Sequence, residues 1–122
     1  MIVDFHTHIF PVWFRDRREE YLARDRAFGE LYASPRANMA TVEDLIRGMN
    51  EDGVERSVVM GIGWTDFALA RQANDYIIDS VVRYPDRLVG FGGVNPTWGD
   101  RAVQEAERCA RVAGFGKMAI IA

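Results

Sequence analysis

The sequence predicts an α/β fold in which parallel strands alternate with helices. Four short runs of apolar, β-branched or aromatic residues have the composition of strands, and they span residues 2–5, 54–60, 88–94 and 115–121. Three of these runs are nearly continuous rather than alternating. Continuous apolar runs are typical of strands that are covered on both faces, as in a parallel sheet.

Helical patterns lie in the three intervals between these runs. The first predicted helix begins at Thr41, whose hydroxyl can accept a hydrogen bond from a free backbone N–H, and ends at Gly53 in the left-handed conformation. The second spans about residues 67–84 and carries apolar residues at helical spacing. The third begins near Asp100 and stops at Gly114. The sequence therefore predicts three main helices.

This order of elements indicates right-handed parallel crossover units. The second, third and fourth strands begin roughly 30 residues apart, which is the length of one unit in a (β/α)8 barrel. The interval between the first two strands is longer, because residues 9–40 insert a segment rich in arginine, glutamate and aromatic residues. We expect this segment on the active-site side of the barrel. No linker interrupts residues 1–122, which predicts a single domain.

Composition limits the classes of partner. A net charge of -3 and a pI near 5.3 provide no basic field for nucleic acid or an anionic membrane surface. No apolar stretch approaches the ~20 residues that span a bilayer, and the N-terminus lacks the pattern of a signal peptide. The single cysteine, Cys109, is interpreted as a packing residue in a reducing compartment. A small-molecule partner and a cytoplasmic location are the resulting expectations.

Two histidines lie at the end of the first strand. His6 and His8 are two positions apart, so on a strand they point to the same face and can bind one ion together, while Asp4 can set a tautomer as a neighbour. The alternative is that both imidazoles only form local hydrogen bonds. Their place at the carboxyl end of a strand, where parallel α/β folds bind ligands, favours the metal. A catalytic zinc needs about three protein ligands, so this pair is an incomplete site.

Three stretches of the sequence are similar to one known family. Residues 2–11 resemble the first strand of the amidohydrolase superfamily, in the branch of aminocarboxymuconate semialdehyde decarboxylase-like and amidohydrolase-related enzymes. Residues 74–77, together with 84–91 and 94–96, resemble the second helix and third strand of that branch. Other barrels also open with a two-histidine strand, including histidinol-phosphatase-like phosphoesterases and TatD-like nucleases. Residues 9–11 and the stretch from 84 to 96 favour the decarboxylase-related branch.

This resemblance implies a (β/α)8 TIM-type barrel with one or two divalent metals, zinc being favoured, at the carboxyl ends of its strands. The resemblance also implies that His6 and His8 are metal ligands. The implied enzyme hydrolyses or decarboxylates a small carboxylated, amide or lactone substrate, and it does so through a metal-activated water or a metal-polarised carbonyl. The family's later histidines and aspartate have no counterpart, so the chain resembles the first half of the barrel. Lys117 is interpreted as a solvated strand-start lysine rather than a bridging ligand.

Several other residues have a structural and a functional interpretation. Asp66 can cap the following helix or contact substrate, and the cap is favoured. Trp64 and Trp98 can line a pocket or pack within loops, and neither is preferred. The basic run at residues 15–18 can meet an acidic substrate, but a solvated helix face is favoured. The pair at residues 95–96 is expected to shape a turn.

Two functions from different classes remain open. The first is an enzyme, or its N-terminal portion, with a metal held partly by His6 and His8. The second is a non-catalytic half-barrel that needs a complementary half-barrel or self-association, because open sheet edges and an apolar inner face favour association. For self-association, we expect two chains to pair head to tail in a ring of eight strands. This ring would bring the His6 and His8 pair of the second chain to the opposite side of the barrel mouth.

Overall fold

The structure is a computed structural model that describes residues 1–113 and 118–121. These residues form one sheet of four parallel strands in the order β1-β2-β3-β4. The strands are β1 (Val3–His8), β2 (Arg56–Met60), β3 (Leu88–Gly93) and β4 (Met118–Ile121). The predicted parallel α/β fold is confirmed. The first part of the predicted fourth strand, residues 115–117, lies outside the described residues.

Six α-helices connect the strands in the described part of the chain. They are α1 (Val12–Asp16), α2 (Arg18–Arg24), α3 (Arg26–Tyr32), α4 (Val42–Asp52), α5 (Phe67–Arg83) and α6 (Asp100–Ala113), and a 3₁₀ turn covers Pro96–Trp98. The three predicted helices correspond to α4, α5 and α6. Within the inserted segment, which contains the short helices α1–α3, the sequence indicated only a helix face at residues 15–18, without bounds. None of the described helices is long and apolar enough to cross a membrane.

Helix α4 forms where its capping residues predict it. The Thr41 hydroxyl accepts a hydrogen bond from the Asp44 backbone N–H at 3.3 Å, and the Asp44 carboxylate accepts one from the Thr41 N–H at 3.0 Å. This reciprocal pair satisfies N–H groups that the first turn leaves free. Gly53 ends the helix at φ 70°, in the left-handed region that a glycine adopts without steric cost.

The core has two main parts. One lies between the sheet and its helices, where Val59 and Leu88 pack against residues of α4 and α5. The other is an aromatic cluster built on Trp64, in the loop after β2, by residues of the inserted segment including Phe10, Phe14 and Phe28. The inserted segment therefore packs at the carboxyl end of β2, in agreement with the predicted placement.

Strand β1 is irregular. Its pairing with β2 matches Asp4 with Ser57 but Thr7 with Val59, so two residues of β1 oppose one residue of β2 between these points. An extra residue of this kind bends a strand and changes the direction of its side chains. The irregularity includes His6 and therefore contributes directly to the geometry of the candidate site.

Candidate metal centre

The imidazoles of His6 and His8 meet at the carboxyl end of β1. Their Nε2 atoms are 3.0 Å apart, and the rings are in a T-shaped arrangement with centroids separated by 4.8 Å. His6 is exposed and His8 is half-buried. The structure thus brings together the two residues that the sequence selected as metal ligands.

A backbone carbonyl of the neighbouring strand orients His8. His8 lies beside Met60 in the register of β1 and β2, and its Nδ1 is 3.2 Å from the Met60 carbonyl oxygen. A carbonyl only accepts, so Nδ1 carries the proton and Nε2 keeps a free lone pair. Burial lowers the pKa of His8, and the neighbouring His6 lowers it further, against the opposing effect of the Met60 carbonyl. The neutral imidazole that results is the form that binds a metal.

The separation of the two Nε2 atoms fits a shared ion. Nitrogens 3.0 Å apart are close enough for both to reach one zinc ion at the usual Zn–N distance of about 2.0–2.1 Å. The same contact is a direct hydrogen bond when His6 carries its proton on Nε2. The geometry therefore accommodates both interpretations that the sequence left open, and the donor atoms present fit a divalent ion.

The described residues supply these two ligands and no larger set. Among residues 1–113 and 118–121, no group of three or more histidine, cysteine, aspartate or glutamate side chains is arranged to hold a metal ion. The Asp4 carboxylate, which the sequence offered for setting a tautomer, accepts the His6 backbone N–H on Oδ1 at 3.1 Å, so its observed contact is to the backbone. The Met60 carbonyl performs the orienting role for His8.

Asp66 and the two loop tryptophans have structural contacts. Asp66 caps α5 by accepting from the Leu69 N–H at 2.9 Å, which confirms the favoured interpretation. Trp64 is 3% exposed and packs in the aromatic cluster. Trp98 donates from Nε1 to the Thr65 carbonyl at 3.1 Å, so it links the loops that follow β2 and β3. These contacts favour loop packing for both tryptophans.

The basic run is occupied by contacts within the protein. Arg15 approaches Asp44 at 3.3 Å, and Arg18 donates to the carbonyls of Ser34 and Ala37 at 3.1 and 2.8 Å. The Arg18 contacts tie α2 to the loop before α4. This arrangement favours the structural interpretation of the run over a substrate-binding one.

The remaining candidate residues are also accounted for. Asn95 accepts from the Thr97 N–H at 3.0 Å, which is the turn-shaping role predicted for it. Cys109 is fully buried, and burial raises the pKa of its thiol to about 12, in agreement with a packing role. Lys117 lies outside the described residues.

Sequence reasoning missed Asp25, which is fully buried in the inserted segment. Its carboxylate accepts from the N–H groups of Phe28, Thr65 and Asp66 at 3.0, 2.8 and 2.7 Å. Asp25 therefore caps α3 and binds the loop after β2 at the same time. The sequence contains a signal for the cap, an aspartate before a helical stretch, but none for the contacts some 40 residues away.

The fold and this site together define a class of protein: parallel βα units with a potential metal-ligand pair at the carboxyl end of the first strand. Residues 3–119 match the amidohydrolase family. The chain belongs to this family.

Solved structures confirm that the fold is the first half of a (β/α)8 barrel. The chain is similar to a 5-carboxyvanillate decarboxylase of Novosphingobium aromaticivorans, solved with manganese and 4-hydroxy-3-methoxy-5-nitrobenzoic acid, at 25% identity and a TM-score of 0.70, over 98% of this chain and 40% of that one. A 2,6-dihydroxybenzoate decarboxylase from Rhizobium matches at 18% identity and a TM-score of 0.60, over 98% and 38% of the two chains.

A 4-oxalomesaconate hydratase from Rhodopseudomonas palustris matches at 19% identity and a TM-score of 0.62, over 97% of this chain and 41% of that one. The two matches at lower identity support the fold alone. In all three comparisons, the chain spans about two fifths of the length of the protein that it resembles.

Proposed function

We propose that this chain contributes His6 and His8 to the divalent-metal site of an enzyme that decarboxylates or hydrolyses a small carboxylated, amide or lactone compound. The observation that carries the proposal is the 3.0 Å approach of the two Nε2 atoms at the carboxyl end of β1. The Met60 carbonyl supports it, because it directs the free lone pair of His8 toward His6. Membership of the amidohydrolase family supports it independently.

The donor atoms favour zinc among the common divalent metals. Imidazole nitrogen suits zinc, and a given nitrogen site binds zinc more tightly than manganese. One similar structure contains manganese, so both ions are worth testing. A bound ion would act as a Lewis acid that polarises a carbonyl or carboxylate oxygen, or would lower the pKa of a bound water. The role of this chain is to hold two neutral imidazoles in a common orientation.

Within this proposal, decarboxylation of a small carboxylic acid is favoured over hydrolysis. The similar structure at 25% identity, a 5-carboxyvanillate decarboxylase, supports this preference. In the described part of the chain, the Asp4 carboxylate beside the pair accepts the His6 backbone N–H and does not distinguish the two reactions. The groups that decide the reaction would come from outside the described half-barrel.

A second candidate function follows from the ligand count. Two imidazoles fall short of the roughly three protein ligands of a catalytic zinc site. Apolar side chains are also exposed on both edge strands: Phe5 is 74% exposed on β1 and Ile121 is 39% exposed on β4. A non-catalytic half-barrel that associates with a second copy or with a complementary half-barrel would cover these residues. In a ring of two copies, the second copy would add two further imidazoles.

The chain allows a direct test of the metal site because His6 and His8 are its only histidines. The imidazole NMR signals of the protein should shift together as zinc is added, and manganese should broaden both. His6→Ala and His8→Ala should each remove the effect on the remaining ring at the same zinc concentration. Glu107→Gln, on the exposed face of α6, is a matched control that should titrate like the wild type. Unchanged imidazole signals at millimolar zinc would contradict the proposal.

The state of association is tested separately. Light scattering gives the mass of the purified chain, and elemental analysis of the same sample gives metal per chain. The ring of two copies predicts a dimer with bound metal, and a dimer that loses metal in His6→Ala/His8→Ala. A metal-free monomer would contradict the ring, and a monomer that binds metal would leave only the first function.

A further inference from the structure

Strands β2 and β3 separate before β3 ends. The last register pair between them is Met60 with Phe91, whereas β3 continues beside β4, where Gly93 lies opposite Ile121. The Val94 N–H donates to the Ile121 carbonyl at 3.0 Å. Successive residues of a strand direct their backbone groups to opposite neighbours. The N–H and C=O of Gly93 therefore face the side that β2 has left.

A side chain from α5 occupies that position. Asn74 accepts the Gly93 N–H on Oδ1 at 2.8 Å and donates from Nδ2 to the Gly93 carbonyl at 2.9 Å. A carboxamide offers the same donor and acceptor pair as a peptide group, so Asn74 continues the ladder of hydrogen bonds in place of β2. The residue is only 1% exposed. Asparagine is otherwise unfavourable inside a helix, and the two hydrogen bonds to Gly93 explain why it occurs at this position.

Glu105 determines which way the carboxamide faces. Its Oε1 accepts the other Nδ2 hydrogen of Asn74 at 3.0 Å, which only an amide nitrogen can provide. Glu105 is itself 2% exposed and forms a bidentate pair with Arg108, with both distances 2.8 Å. Burial alone would raise the pKa of Glu105, but hydrogen bonds from Arg108 and Asn74 outweigh it and hold the pKa below its ordinary value. The acceptor is therefore an ionised carboxylate at neutral pH.

The loop that follows β3 is hydrogen-bonded to the loop that follows β2. The Asn95 side chain donates to the Trp64 carbonyl at 3.2 Å, and Trp98 Nε1 donates to the Thr65 carbonyl at 3.1 Å. Both loops lie at the carboxyl edge of the sheet, as do His6 and His8. Because Gly93 is two residues before Asn95, its position determines where the second loop starts.

We infer that Asn74, oriented by Glu105, is a positioning residue that sets the spacing of the loops after β2 and β3 at the mouth of the half-barrel. The inference rests on the proposed function in one respect. The loops would border a substrate only if His6 and His8 form the proposed metal site. The contacts themselves do not involve the histidines. Failure of metal binding would therefore leave this inference intact, and failure of this inference would leave the metal site intact.

Two variants separate positioning from stability. Asn74→Asp keeps the acceptor for the Gly93 N–H, loses the donor to its carbonyl, and places a second carboxylate against Glu105, so it should lower the urea midpoint of unfolding. In Asn74→Asp/Glu105→Gln, the new glutamine can donate to the aspartate and the repulsion between two carboxylates is removed, which offsets part of the loss, while the weakened pairs of Arg108 and Arg71 add a loss of their own. The donor to the Gly93 carbonyl is still missing, so the loops should remain displaced.

The indole N–H of Trp98 reports the loop spacing by NMR, as one of three tryptophan signals in this chain. In Asn74→Asp/Glu105→Gln, this signal should shift and exchange with solvent about fivefold faster than in the wild type, the factor expected for one hydrogen bond of about 1 kcal/mol. A Trp98 signal at its wild-type position and rate in this double variant would overturn the inference.

Two controls complete the test. Asn38→Asp makes the same chemical change at an exposed position and should leave both stability and the Trp98 signal unchanged. Ile77→Val removes one buried methylene from α5 and should lower the urea midpoint of unfolding without touching the network. A Trp98 shift of equal size in Ile77→Val would show that the signal follows stability rather than Asn74, and would also overturn the inference.

Discussion

Strand β1 and the segment that follows it differ sharply in packing. Within β1, Phe5 is 74% exposed and His6 is also exposed, whereas Phe14 and Phe28 in the next segment are completely buried. The candidate ligands thus lie on a thinly packed edge strand. The inserted segment instead forms an aromatic core at the carboxyl end of β2. The difference indicates that stability and site chemistry reside in adjacent but separate parts of the chain.

The largest expected effect on stability comes from two phenylalanines in these two regions. Phe28 stacks on Trp64 with centroids 5.4 Å apart, so Phe28→Ala should lower the free energy of unfolding by about 4 kcal/mol through lost burial and a cavity. Phe5→Ala makes the same change on the exposed strand and should cost less than about 0.5 kcal/mol. Urea unfolding followed by tryptophan fluorescence measures both. Equal losses would break the comparison between the regions.

The second prediction concerns the polar anchor of the inserted segment. Asp25→Ala removes the acceptor of three backbone N–H groups, two of them in the loop after β2, and should cost about 3 kcal/mol. Asp16→Ala, at an exposed position of α1, should change stability by less than about 0.5 kcal/mol. The same unfolding measurement applies. A loss below about 1 kcal/mol in Asp25→Ala would mean that the segment is anchored by its aromatic contacts alone.

The elements that were predicted correctly depend on local signals. Helix α4 is bounded by a threonine cap and a glycine in the left-handed conformation, and both act within a few residues of themselves. Strands β2 and β3 are continuous apolar runs that suit a sheet covered by helices. The bounds of helices α1–α3 were missed, beyond a helix face at residues 15–18, because these helices are only 5 to 7 residues long, too short for a clear periodic pattern.

The proximity of the two candidate ligands was predictable from the sequence, but their surroundings were not. The spacing of His6 and His8 is visible in the sequence, because residues two apart on a strand share a face. The Met60 carbonyl is 52 positions from His8, and the irregular pairing of β1 depends on β2. Asn74 and Glu105 are likewise 31 positions apart. Contacts at such separations follow from the tertiary fold, which local patterns do not specify.

The third prediction tests a buried charge far from β1. The pKa of Glu105 is depressed in the folded protein, so its contribution is fully present above the unfolded pKa of about 4.3 and is lost as pH falls through the folded pKa. At pH 7, Glu105→Gln should cost about 1–2 kcal/mol, because Arg108 and Arg71 lose a charged partner. Urea unfolding from pH 7 to pH 3 should show this difference shrinking.

The groups that face Glu105 are Asn74, Arg71, Arg108 and Cys109, with Asp75 on the far side of Arg108. Asp75 is present in both the wild type and the variant, so its contribution is common to the two proteins. Taking the difference between the two proteins therefore isolates Glu105. A difference that grows as pH falls would show that burial, rather than the Arg108 pair, dominates its ionisation.

The smallest expected effect on stability is at the histidine pair. His6 is exposed and contacts His8 in addition to the Asp4 bond of its own backbone, so His6→Ala should change the free energy of unfolding by less than about 0.5 kcal/mol. His8→Ala leaves the Met60 carbonyl without its donor and should cost about 1 kcal/mol. Both substitutions should nevertheless abolish zinc-dependent stabilisation in thermal unfolding. A histidine variant that unfolds as readily as Phe28→Ala would place the pair in the core and remove the separation between stability and site chemistry.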